Sequence, residues 1–132
     1  MGEPECLDTN VLLRYVLGDI PHQQVRAATL LKSGRRFRVL DPVWVEMVYA
    51  LEKHYALGRA EVCDILVTLA GLSVIVGDAE VMANVCGSYR DHPKLSFVDC
   101  LLAERAQQIG VSPLWTFDEK LAKQHPSATL VP

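Results

Sequence analysis

The chain has 132 residues, half of them hydrophobic and 22% charged, with a formal net charge of −3 at pH 7. That is enough for one ordinary domain over residues 1–132 with a core of its own, and too apolar for a disordered segment. No apolar stretch reaches the roughly 20 residues that span a bilayer, and the N-terminus lacks a basic region followed by an apolar one, which points to a soluble, cytoplasmic protein with no membrane partner.

In chain order, Glu5 to Asp8 reads as a short buried strand and Thr9 to Leu17 as a helix. Gly18-Asp19-Ile20-Pro21 is a turn, and Pro21 suits the first position of the next helix, which Ser33-Gly34 ends. Phe37 to Leu40 is a second strand. Asp41, a candidate N-cap, opens a helix through Glu46 to about Ala56. Leu57-Gly58-Arg59 breaks it, and Val62, Ile65, Leu66 and Leu69 mark another helix. The β-branched run Leu72 to Val76 is a third strand, followed by a helix from Ala79 to about Arg90. Ser96 caps a helix to Ile109, with Gly110 just past its end. Val111 to Phe117 is a fourth strand, Asp118 to Gln124 a short helix, and Thr129 to Val131 an edge strand. Strands alternating with helices predict an α/β fold with a central parallel sheet and helices on both faces.

Four carboxylates stand where hydrophobic runs stop or are interrupted: Asp8, Glu46, Asp99 and Asp118. An ionised carboxylate beside a core is costly unless something compensates it. Most of these four have no Lys or Arg next to them, so a hard divalent cation is the natural missing charge. Ligands of an open parallel sheet bind outside the C-terminal ends of the strands, where Asp8 and Asp118 fall. Asp99 lies in the first turn of its helix, where the macrodipole favours a carboxylate by roughly 0.3–1 kcal/mol. Glu46 projects from the early turns of the helix after strand two. All four are therefore expected at one rim, where Mg²⁺ or Mn²⁺ would activate water and hold a scissile phosphate. Phosphodiester hydrolysis is the chemistry this pattern fits.

The four cysteines, Cys6, Cys63, Cys86 and Cys100, match no metal-binding spacing and read as free buried thiols. A negative net charge argues mildly against a nucleic-acid partner. Metal binding would offset the acids, and Arg35-Arg36-Phe37-Arg38 could supply a local basic patch, although such a run is commonly a solvated strand entry. Trp44, Trp115 and Tyr15 are read as core residues, and His22, His54, His92 and His125 as exposed polar side chains without ligand spacing.

The stretch from Leu7 to Tyr15, Glu46 within its aliphatic helix, Phe97 to Ala103 and Thr116 to Leu121 resemble, in order, the motifs of the PIN domain family, specifically its VapC-type toxins. The similarity runs from Leu7 to about Leu121. It implies a three-layer α/β/α sandwich around a central parallel sheet of four or five strands, and a Mg²⁺- or Mn²⁺-dependent ribonuclease. It also implies Asp8, Glu46, Asp99 and Asp118 as the catalytic, metal-holding acids, with Asn10 and Thr116 as supporting polar residues. Homodimerisation and a cognate VapB-type antitoxin covering the active-site groove are implied as well. Cys100 stands where relatives often carry Ala, and Ser96 where many have an acid.

Simpler readings compete at single positions. Asp8 and Asp118 could each merely cap a helix, Asn10 could bond local backbone, and Thr116 is a β-favouring residue in a strand. Arg14 could partner a nearby acid, or contact RNA or the antitoxin. Two other function classes compete. A phosphoryl-accepting domain wants a second Asp two residues beyond its nucleophile or paired acids before its first helix, and position 10 is Asn. A non-catalytic PIN-like module for dimerisation or RNA binding is the nearer alternative, and retention of all four acids speaks against it.

Overall fold

The computed structural model describes residues 2–132. The chain divides into two compact units, the first ending at Asp78 and the second running from Ala79 to Pro132.

In the first unit the order is β1 (Glu5–Cys6), α1 (Thr9–Leu17), α2 (Pro21–Leu31), β2 (Phe37–Arg38), α3 (Asp41–Lys53) and α4 (Arg59–Ala70). β1 and β2 pair in parallel, Glu5 opposite Phe37 and Cys6 opposite Arg38. α1 has the predicted bounds for a local reason. Asp8 caps its start, and Gly18 ends it in the left-handed region (φ 64°), where its N–H reaches the Arg14 carbonyl. Pro21 sits at the start of α2, where its missing N–H costs nothing. α1 packs on both α2 and α3, and α3 on α4, around Leu12, Phe37, Trp44, Met47, Leu51, Val62 and Leu66. Each such side chain contributes about 1.5–3 kcal/mol by leaving water. A buried polar contact is set into this core: Trp44 Nε1 donates to Asp78 Oδ2 at 2.9 Å, and Arg38 Nη2 lies 3.8 Å from Asp78 Oδ1.

The second unit holds α5 (Ala79–Asp91), α6 (Phe97–Gln108), β3 (Leu114–Thr116), α7 (Glu119–Gln124) and β4 (Ala128–Leu130). β3 and β4 pair in parallel, with Leu114 opposite Ala128 and Thr116 opposite Leu130. α5 packs on α6, where the Tyr89 and Phe97 rings meet edge to face at 5.6 Å between centroids.

The α/β class and the parallel sense of the pairings agree with the sequence reading, while the strands are shorter than predicted. Leu72–Val76 forms no full strand; one bridge joins Ile75 to Phe37, with Phe37 N–H donating to the Val74 carbonyl at 2.7 Å and Val76 N–H to the Phe37 carbonyl at 2.9 Å. Asp41 is inside α3, and Leu40 occupies the cap position without a side-chain bond. With Pro42 in the first turn, one of the N–H groups a cap would serve does not exist. Trp44 is buried as predicted, but Trp115 is 58% exposed. Strand alternation puts Trp115 on the face opposite Leu114 and Thr116. Tyr15 is half-buried. None of the four cysteines is in a disulfide; Cys63, Cys86 and Cys100 are buried, and Cys6 is exposed on β1.

Candidate active site

Asp8 leaves β1 in extended conformation, and its Oδ1 accepts a hydrogen bond from Thr9 N–H at 2.8 Å. Two residues on, at the second position of α1, Asn10 is exposed. Glu46 stands on α3 among residues whose neighbours Trp44, Met47 and Val48 are buried; its own side chain is exposed on the opposite side of the helix. Asp8, Asn10, Arg14, Glu46 and Tyr49 line one cavity of about 640 Å³ between α1 and α3. The structure thus brings together two of the four acids and one of the two supporting residues. Asn10 makes no side-chain hydrogen bond among the described residues, so the local-backbone reading does not hold for it.

Arg14 is the partner of a nearby acid. Its Nη1 lies 2.9 Å from Asp19 Oδ2 and its Nη2 donates to the Tyr55 hydroxyl at 3.1 Å, while that hydroxyl donates to Asp19 Oδ2 at 3.1 Å. The three side chains close a triangle that fixes the guanidinium on the cavity wall.

In the second unit, Asp99 sits in the first turn of α6, half-buried, with its N–H bonded to Ser96 Oγ at 3.1 Å. Ser96 is therefore a helix cap. Among the described residues neither the Asp99 nor the Glu46 carboxylate has a hydrogen bond or ion pair. Cys100, next to Asp99, is fully buried. Asp118 caps α7: Oδ1 accepts from Lys120 N–H at 2.9 Å and from Leu121 N–H at 3.1 Å. Thr116 Oγ1 accepts from Asp118 N–H at 2.9 Å, fixing the loop that carries the acid. Capping is thus real for Asp8 and Asp118, and it occupies one oxygen of each, leaving the other without a protein partner among the described residues.

The structure bears on two other sequence readings. The basic run is mostly engaged: Arg35 pairs with Glu5 at 3.1 Å, Arg36 donates to the Gly2 carbonyl at 3.2 Å, Arg38 approaches Asp78, and Phe37 is buried. It behaves as a strand entry. His125, read as exposed, is buried; its Nδ1 accepts from Ser127 N–H at 3.1 Å, so Nε2 carries the hydrogen toward Glu104 Oε1 at 2.7 Å. Tyr49, His54 and Tyr55, all on the Asp8–Glu46 cavity, were not singled out from the sequence as site residues. Tyr49 follows Glu46 by three residues, one helical turn, and that spacing could have revealed it.

The donors on the cavity, two carboxylates and an amide oxygen, are the hard oxygens that Mg²⁺ or Mn²⁺ takes. Among the described residues, no group of three or more His, Cys, Asp or Glu side chains is close enough to hold an ion. Asp8 and Glu46 are thus two carboxylates on one cavity whose oxygens suit such an ion in ligand chemistry. No helix is long and apolar enough to cross a membrane.

Comparison with known proteins bears on the same residues. The chain is 23% identical over 124 residues to a VapC ribonuclease of Aquifex aeolicus (strain VF5), covering 90% of each chain. No solved structure matches. The PIN domain model matches residues 6–125, a span that contains Asp8, Glu46, Asp99 and Asp118. With the match running through both units, the chain belongs to the PIN domain family.

Proposed function

We propose that the protein is a Mg²⁺- or Mn²⁺-dependent endoribonuclease, the toxin of a VapBC-type pair. The observation that carries the reading is the placement of Asp8 and Glu46, with Asn10, on one open cavity without a cation paired to Glu46. The relative named a VapC ribonuclease, matched over 90% of both chains, supports it. Asp8, Glu46, Asp99 and Asp118 hold the metal, and when bound the ion supplies Lewis acidity toward water and phosphate. The chain's own part is positioning. The α1 cap fixes Asp8, the α7 cap and the Thr116 hydroxyl fix Asp118, and Ser96 fixes the first turn carrying Asp99. On this reading residues 1–132 are one PIN-like domain of the three-layer α/β/α class. The protein works as a cytoplasmic homodimer, and a VapB-type antitoxin holds it in check.

The test is incubation of purified, antitoxin-free protein with structured RNA and Mn²⁺, beside an EDTA control and Asp99→Asn. Cleavage lost in both controls is expected. Metal-dependent cleavage that survives Asp99→Asn would remove Asp99 from the site, and failure to bind Mn²⁺ at all would leave the non-catalytic PIN-like module as the better reading.

A further inference from the structure

The cavity holding Asp8 and Glu46 has a second chemical character. Tyr49 lies one turn beyond Glu46 on α3, and side chains so spaced are neighbours, with about 5–6 Å between Cβ atoms. Its ring is 59% exposed, unusual for an aromatic on a helix whose opposite face is core. His54, at the C-cap of the same helix, meets it nearly at right angles, 6.0 Å between centroids with 79° between planes. A perpendicular neighbour steadies the ring, and more than half of the residue remains in solvent. The same cavity is lined by Arg14, whose guanidinium is ion-paired with Asp19 and bonded to the Tyr55 hydroxyl. At about 640 Å³ the space falls within the range of small-ligand pockets, roughly 300–1,000 Å³.

An exposed aromatic ring, a fixed guanidinium and oxygen ligands for a cation, on one cavity, match the three parts of a nucleotide: base, phosphate and the metal that accompanies it. We propose that this wall is a nucleotide-positioning subsite, in which an unpaired base of the RNA stacks on Tyr49 beside His54 while Arg14 faces its phosphate. A base stacked on Tyr49 must be out of a duplex. The inference rests on the nuclease reading and adds the part of the substrate engaged beside the acids. Tyr49 is a substrate-positioning residue; it has no role in holding the metal.

The experiment measures binding of a fluorescent single-stranded RNA oligonucleotide, and of its duplex, in Ca²⁺, to the wild type, Tyr49→Ala, Tyr49→Phe and His54→Ala. Stacking of one base predicts roughly 5- to 150-fold weaker single-strand binding for Tyr49→Ala, with Tyr49→Phe close to wild type and His54→Ala between them. In cleavage assays the loss should fall on KM more than on kcat, and Mn²⁺ affinity should stay unchanged. Wild-type binding matched by Tyr49→Ala overturns the subsite and leaves the nuclease reading standing. Equal losses in Tyr49→Ala and Tyr49→Phe would make the hydroxyl the contact and overturn stacking. A wild type that binds neither RNA overturns both readings. Since Tyr49 is largely in solvent, thermal melting of the variants should match wild type, separating a lost contact from a lost fold.

Discussion

Asp118 has two jobs in this account, and substitutions can separate them. Its Oδ1 accepts two hydrogen bonds at the start of α7, from Lys120 N–H and Leu121 N–H. Asn offers the same carbonyl oxygen and is as good an N-cap as Asp, so Asp118→Asn should keep the cap, losing at most about 0.3–1 kcal/mol of charge–dipole attraction. Ala offers no acceptor, and Asp118→Ala should cost about 1–2 kcal/mol. For a chain of this size that is a fall of roughly 3–8 °C in melting temperature, against about 1–4 °C for Asp118→Asn. Mn²⁺ raises the melting temperature of any protein that binds it only when folded. That rise, measured by thermal denaturation with and without Mn²⁺, should shrink in both variants, and RNA cleavage should be lost in both. A stable, fully active Asp118→Asn would show that Asp118 merely caps a helix. An Asp118→Ala as stable as wild type would show that the cap contributes nothing and that its hydrogen bonds were misjudged.

Two further outcomes concern the buried polar contacts that hold the scaffold. Trp44→Phe removes the donor to Asp78 Oδ2 and empties part of a fully buried site, so it should destabilise by about 2–4 kcal/mol in urea unfolding, while Tyr49→Phe, on the solvent side of the same helix, should not. His125→Ala removes a ring that bridges Ser127 N–H and Glu104 and should cost about 2–4 kcal/mol by the same measurement, with Mn²⁺ binding by the surviving folded protein unchanged.

How much of this was legible beforehand follows from the range of the interactions. α1, α2 and the Ser96-capped α6 are written locally, in Asp8, Gly18, Pro21 and Ser96, and the structure ends these helices within a residue or two of where those signals fall. The run Leu72–Val76 has strand-like composition, but a strand exists only where a partner offers hydrogen bonds, and here the partner is the two-residue β2, which supplies one bridge. His125 looked like a scattered surface histidine because Glu104, its partner, is 21 residues away on another helix. Trp115 was assigned to the core from its size, although strand alternation turns it away from Thr116. At the site, the acids were readable as interruptions of apolar runs. Tyr55 was not, because it reaches Arg14 and Asp19 from 41 and 36 residues away in sequence.

Asp8, Glu46, Asp99 and Asp118 are proposed above as the acids that hold the metal. Asp8 and Glu46 share a cavity in the first unit, while Asp99 and Asp118 belong to the second. Calorimetric titration of Mn²⁺ into the wild type, Asp8→Asn and Asp99→Asn tests this most directly, since each variant removes one charge from one unit and neither should disturb folding. If all four acids hold the ion, both variants should bind at least about tenfold more weakly, by similar factors, because each loses one carboxylate ligand of the same ion. Weakening in Asp8→Asn alone, with Asp99→Asn binding as tightly as wild type, would confine the metal to the Asp8–Glu46 cavity and contradict the four-acid site.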